Sequence, residues 1–422
     1  MHLLKAFLRS AAYERRFLAK NQWDLAMVLW IPLATVLLVW WIFSQTQIND
    51  LPIGVVDQDN GPIANTLVRY LEASPELTVY QHYHSPADVE AAILQRDVYA
   101  VVIIPEDFSR NISSSKSAPV VLQVNAQYGT HSGIIQTSVQ AVVGTLSAGV
   151  EIQRLVKQGM APSQAAINYS PIAIQRTSLF NAINNYQQFL ASTVIPALLH
   201  ILAMVIGATT IGRELRDKQL GRWSRFIHIG TPDLTLDNYN GQYKNNNVEH
   251  TNSIRKASLS VLFVGLLGKY FWPILAYSVW SALALWLATP QQSVDTVSLF
   301  ITYMSLVLLM TLSFWLGAVF TLGSFSLRMG LSATGFISVP SYAFAGVTYP
   351  YIAITDSAKY WADALPLTHY LQLHIAQLQM QAPVAVSLPI VYGLLLATII
   401  ALILMVVLTK RALAHPERWG AR

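Results

Sequence analysis

The chain has no cysteine in its 422 residues. Disulfides, thiolate nucleophiles and cysteine-ligated metals are therefore excluded, and any part outside the cytoplasm has to fold without covalent staples. Charge is scarce as well. Asp, Glu, Lys and Arg make up 12%, against about 25% in an ordinary soluble domain. The deficit is uneven: long uncharged runs alternate with polar sequence, the pattern of a polytopic membrane protein. No catalytic triad, carboxylate pair or helical zinc motif stands out. A cleavable signal is not expected, because the first apolar run is too long and too far in, and no small-residue cleavage site follows it.

Six runs are long and apolar enough to cross about 30 Å of hydrocarbon as helices: 25–43, 189–211, 270–287, 297–322, 329–349 and 384–408. Trp23, Trp40 and Trp41 flank the first, as interfacial aromatics do. With both termini cytoplasmic, the inner side holds 19 of the 27 Lys and Arg but only 8 of the 22 acids. That asymmetry accounts for the net charge of +5 without nucleic acid. None of the six runs contains Asp, Glu, Lys or Arg; Asp24 sits at the inner edge of the first, and His200 is the ionisable residue within them. An ion-coupled transporter would place carboxylates or cations there, so a transporter of this composition draws its energy from a partner.

The predicted fold is a mostly α membrane protein. Residues 1–22 form a cytoplasmic interfacial helix with Leu3, Leu4, Phe7, Leu8 and Ala11 on one face. Residues 23–43 form the first span, and 44–188 a small extracytoplasmic α/β domain. Residues 189–422 hold spans two to six, with a cytoplasmic coupling loop at 212–269 and an external re-entrant hairpin at 350–383. Within 44–188, short β-branched runs at 53–56, 78–83, 99–104 and 119–124 alternate with helical spacing at 62–77 and 130–158.

Three local patterns invite a ligand and fail to complete it. Asp57-Gln58-Asp59-Asn60-Gly61 starts like a calcium loop, but Gly falls at its fifth position and Val68 at its twelfth. A turn in which Asn-Gly supplies positive φ, with Asp59 or Asn60 capping the next helix, fits better. His82 and His84 share a strand face without a third ligand, so no metal site is expected. Gly268-Lys269 lacks the preceding Gly and following Ser or Thr of a phosphate loop, which makes Lys269 a positive-inside anchor. The chain therefore has no nucleotide loop of its own.

The assembled features resemble the membrane (permease) subunit of type-2 ATP-binding-cassette (ABC) exporters, in the subgroup with a large extracytoplasmic domain between the first two spans. The residues that carry the resemblance are LPIGVVDQDNGPIANTLVRYLEASPELTV (51–79), GRELRDKQLGRW (212–223), GLLGKYFWP (265–273), VPSYAFAGVTYP (339–350) and ALPLTHYLQL (364–373). The resemblance implies a homo- or heterodimer in the cell inner (plasma) membrane. Separate ATPase subunits would dock on it and carry the ATP and Mg, with no cofactor on this chain and, depending on the system, a periplasmic adaptor. By position, it places ATPase coupling on Arg213, Glu214, Arg216 and Asp217. The substrate path is expected to use Trp30, Phe336, Pro340 and Phe344, an uncharged set suited to lipophilic or amphiphilic cargo leaving the cytoplasm or inner leaflet. Residues 224–256 are longer and more polar than that pattern. The competing reading is a membrane-anchored receptor or scaffold whose α/β domain binds a ligand or partner protein.

Overall fold

The computed structural model of the chain describes residues 2–169, 179–181, 184–229, 258–289 and 294–420. It divides into two compact units, residues 47–179 and residues 1–46 with 180–422.

The helical unit opens with α1 (His2–Lys20). Ala6, Ser10, Glu14 and Leu18 recur every four positions along it and are buried, whereas Leu3, Leu4 and Leu8 are exposed. The expected apolar face is thus divided. Small residues pack α1 onto the protein, and the leucines remain available to an apolar surrounding. The first predicted span is two helices, α2 (Gln22–Val28) and α3 (Trp30–Ile42), meeting at a 41° bend. Pro32 is the cause: it has no N–H for the Val28 carbonyl four residues back, and its ring crowds that carbonyl. The Trp280 indole donates to the freed oxygen at 3.1 Å.

The α/β unit runs β1 (Leu51–Asp57), α4 (Pro62–Glu72), β2 (Leu77–Tyr83), α5 (Pro86–Gln95), β3 (Ala100–Ile104), α6 (Phe108–Ser113), β4 (Val121–Val124), α7 (Gly129–Lys157) and α8 (Pro162–Tyr169). The sheet order is β2-β1-β3-β4, with β1 parallel to both neighbours and β4 antiparallel to β3. Central β1 is covered on both faces, so it reads as a continuous β-branched run. Ile53 and Val55 join Leu67 and Leu71 of α4 and Ile135 and Val139 of α7 on one side. Val56 joins Val89 and Val101 on the other.

The acidic turn after β1 spends its oxygens on the protein. Asp57 Oδ1 accepts from the backbone N–H groups of Asp59 and Asn60, both at 3.0 Å. Asn60, rather than Gly61, takes the positive φ of 49°. Neither Asp59 nor Asn60 caps α4. The Ser109 hydroxyl does so, accepting from Ile63 and Ala64 N–H at 3.2 and 3.3 Å, and it donates in turn to Asp59 Oδ2. Removing it with Ser109→Ala is expected to cost about 0.5–2 kcal/mol, visible as faster hydrogen exchange at the first amides of α4. His82 pairs in register with Val55. Among the described residues no group of three His, Asp or Glu is placed to hold a metal ion.

In the helical unit a π-helical turn, Gln187–Ala191, leads into α9 (Ser192–Arg216). There follow α10 (Leu220–Ile229), α11 (Leu259–Ala288), α12 (Thr296–Ser324), α13 (Leu327–Ser338), α14 (Ser341–Phe344), α15 (Asp356–Ala364), α16 (Pro366–His374) and α17 (Val384–Ala414). Helices α9, α11, α12 and α17 have 25, 30, 29 and 31 residues, long enough at about 1.5 Å per residue to cross about 30 Å of hydrocarbon. Helix α12 is central, with α9, α13 and α17 against it.

The structure differs from the predicted spans in three places. Helix α11 starts at Leu259, so the apolar run before residue 270 belongs to the same helix and Lys269 lies within it. The expected span 329–349 is broken into α13 and the four-residue α14. There Pro340 denies an N–H to the Phe336 carbonyl, and Gly346 turns the chain at φ 78°. Helix α7 matches a span in length and composition, yet it packs Ile135, Val139 and Leu146 into the core of the α/β unit. Among the described residues, five helices are long and apolar enough to cross a membrane, or six with the bent α2–α3 pair. Of the polar insertion 224–256, residues 230–256 lie outside the described residues.

Candidate functional site

Five charged residues from four helices converge at one end of α9. Arg213 and Glu214 come from its last turn, Lys269 from the interior of α11, Glu14 from α1 and Asp24 from α2. Lys269 Nζ lies 2.8 Å from Glu214 Oε1 and 3.3 Å from Glu14 Oε2. Arg213 pairs with Glu14 through Nη2 and reaches Asp24 Oδ1 at 3.2 Å through Nη1. The Lys269 side chain is 0% exposed. Asp24 lies at the rim, its side chain 31% exposed.

Aromatic rings close the cluster. The Arg213 guanidinium lies 3.8 Å above the Phe17 ring, and Lys269 Nζ lies 5.0 Å from the Tyr13 ring and 5.5 Å from that of Trp223. Tyr13 donates to Glu214 Oε2 at 3.4 Å, and the Trp223 indole of α10 donates to Ser10 Oγ of α1 at 3.0 Å. Burial raises the Tyr13 phenol well above its usual range, with the Glu214 carboxylate adding to the effect. Burial also pushes the Glu14 carboxyl upward, but Arg213 and Lys269 outweigh it and hold Glu14 below the ordinary carboxylate value. Each of the five groups has an opposite charge within salt-bridge distance, the pairing that offsets the cost of burying charge.

The approach of α1 to α11 depends on Gly268. A methyl there would stand 2.4 Å from the Phe7 carbonyl oxygen. The Gly-Lys pair thus does two jobs in two residues: one lets the helices touch and the other bonds them.

The four residues expected to carry ATPase coupling fall into two pairs. Arg213 and Glu214 are buried in the cluster. Arg216 and Asp217 are exposed just past it, paired with each other at 2.8 Å. The sequence reading missed Glu14 and gave Lys269 only an anchoring role. The four-residue recurrence of Ala6, Ser10, Glu14 and Leu18 was the available signal for Glu14. The four substrate-path residues form no such constellation. Trp30 is 64% and Phe336 75% exposed, Pro340 is exposed and Phe344 half-buried. None of the four forms a ring contact or side-chain hydrogen bond with another among the described residues.

Residues 23–224 match the family described as ABC-2 family transporter protein. Over that segment, just under half of the chain, the sequence is similar to the ABC-2 transporter family. The matched stretch includes Asp24, Arg213 and Glu214, with Glu14 and Lys269 outside it. The matched stretch also contains the whole α/β unit. The chain is similar to a "Probable multidrug ABC transporter permease YbhR" of Escherichia coli strain K12, at 19% identity over 217 residues, covering 50% of this chain and 56% of that one. A protein of the same description from Escherichia coli O157:H7 matches equally. The chain thus spans about half the length of the curated relatives it matches. No solved structure matches it.

Proposed function

We propose that this chain is the membrane-spanning permease subunit of an ATP-driven exporter for lipophilic or amphiphilic cargo. ATP hydrolysis then resides on separate ATPase subunits that dock at the end of α9. The observation that carries the reading is the ion cluster. It joins the exposed Arg216–Asp217 turn, where a partner can press, to α1 and α11, which have to move if the membrane helices are to rearrange. A displacement of α9 by a turn cannot leave Arg213, Glu214, Lys269 and Glu14 unpaired without a large penalty, so these elements move as one body. The multidrug description of the relative supports the cargo class. The Lys and Arg asymmetry supports cytoplasmic termini, with the α/β unit on the outer side.

The test separates docking from transmission. Arg216→Glu is expected to weaken co-purification of the ATPase subunit while leaving thermal stability unchanged. Glu214→Gln is expected to preserve co-purification and reduce cargo-stimulated ATP hydrolysis by about tenfold, within the usual range of allosteric coupling. Wild-type coupling in reconstituted Glu214→Gln complexes would remove the assignment.

The receptor reading has one observation behind it, a cavity of about 570 Å³ inside the α/β unit with Leu67, Phe108 and Leu146 in its walls and Lys116 and Arg154 among its polar groups. Stoichiometric ligand binding by the full chain, with no ATPase subunit co-purifying, would favour it.

A further inference from the structure

A second cavity, of about 480 Å³, lies in the helical unit between the end of α1, α2 and the middle of α11. Its walls are apolar: Leu25 and Leu29 on one side, Trp272, Leu275 and Trp280 on the other. Both indoles have already used their single donor, Trp272 on the Ala11 carbonyl at 3.0 Å and Trp280 on the Val28 carbonyl at 3.1 Å. They present only ring surface to the groove. The one charged lining residue is Arg15. Arg15 is exposed and has no ion-pair partner among the described residues. Arg16 and Lys20 beside it are exposed too. The two acids in residues 1–24 are Glu14 and Asp24, and both are committed to the buried cluster. The mouth of the groove is therefore cationic and its depth is apolar.

We infer that this groove holds an acyl chain of an anionic phospholipid whose headgroup pairs with Arg15. The volume lies within the range of about 300–1,000 Å³ usual for ligand sites, and the helix carrying Arg15 has exposed Leu3, Leu4 and Leu8 to place it at a membrane interface. A neutral or anionic soluble metabolite fits poorly, because no donor or acceptor lines the depth. Arg15 directly follows Glu14 on α1. A bound lipid therefore braces the helix that the ion cluster holds. The inference depends on membrane residence alone and stands or falls separately from the choice of cargo.

Native mass spectrometry of the detergent-purified full chain tests it, with palmitoyl-oleoyl phosphatidylglycerol titrated against phosphatidylcholine of the same chains. One saturable lipid per chain is expected, with phosphatidylglycerol bound about fivefold more tightly, the effect of one cation near an anionic surface. Arg15→Gln, at an exposed position, should abolish that preference while leaving phosphatidylcholine binding as it was. Ala276→Trp, which fills the groove, should reduce both lipids. Equal binding of the two lipids by the wild type, an unchanged preference in Arg15→Gln, or undiminished adducts in Ala276→Trp would each overturn the assignment.

Discussion

Lys269→Met is expected to destabilise the protein by about 3–5 kcal/mol, the cost of removing one partner from a buried ion pair. Methionine fills the space of the lysine stem, so the loss isolates the charge. Among the described residues, what remains is Glu214 without a cation within salt-bridge distance, and Glu14 with Arg213 alone. Both carboxylates are buried, so water cannot replace the ammonium. The measurement is the midpoint of thermal unfolding in detergent, together with the monodisperse yield. A second substitution, Glu214→Met in the Lys269→Met background, should recover part of the loss, because an uncharged pair costs less than a stranded carboxylate. An unchanged midpoint in Lys269→Met would mean that the cluster does not hold α1 and α9 to α11.

The same cluster fixes a pH dependence. The Glu14 carboxyl in the folded state lies below its ordinary value, because Arg213 and Lys269 outweigh burial. A group with a depressed folded-state pKa contributes stability above its unfolded value and loses it as the pH falls through the folded value. The Glu14 contribution to wild-type stability should therefore be lost as the pH falls from the ordinary carboxylate value toward the lower folded-state value. In Lys269→Met one of the two cations that lower Glu14 is gone, so the acid limb should move to higher pH.

Gly207→Ala and Gly317→Ala are each expected to destabilise the protein by about 1–3 kcal/mol or more through overpacking. The two glycines sit on α9 and α12, where the backbones make mutual close contact. A methyl on Gly207 would lie 2.0 Å from the Phe314 carbonyl oxygen, and one on Gly317 would lie 2.0 Å from the Met204 carbonyl oxygen. Neither obstacle is a side chain that can swing away, so the helices have to separate along their whole contact. Small residues at such crossings are the ordinary means of helix association where lipid removes the hydrophobic drive. Separation would also strain the bond that uses this proximity, His200 to Ser313 at 2.6 Å. Gly393→Ala on α17 is the control, since a methyl there meets nothing within 4 Å. Thermal midpoints of the three variants should separate the first two from the third, and equal midpoints would refute the close-contact account.

Much of the local structure is legible in the sequence, because period is a local property. The β-branched run around Ile53 and the alternation around Thr78 mark strands at β1 and β2. The uncharged runs mark the long helices, and Lys and Arg placement suggests their direction. Proline positions are visible in the sequence, but whether a proline bends or breaks a span depends on the contacts around it. Pro32 bends the first span, and Pro340 breaks the segment predicted as the fifth.

The cluster itself came from tertiary structure. Glu14 and Lys269 are 255 positions apart, and neither has a sequence neighbour that announces the other. In sequence, Arg213 and Glu214 look like their neighbours Arg216 and Asp217, four members of one charged segment suited to solvent. The fold alone buries the first two and exposes the second two, because α9 ends against α1 and α11 at that turn. Composition and periodicity determined that this chain is a set of apolar helices with a small α/β unit inserted among them. Which of its few charges are internal bonds and which are available to a partner was decided by how the helices meet, since burial is a property of the contact and a residue type alone does not carry it.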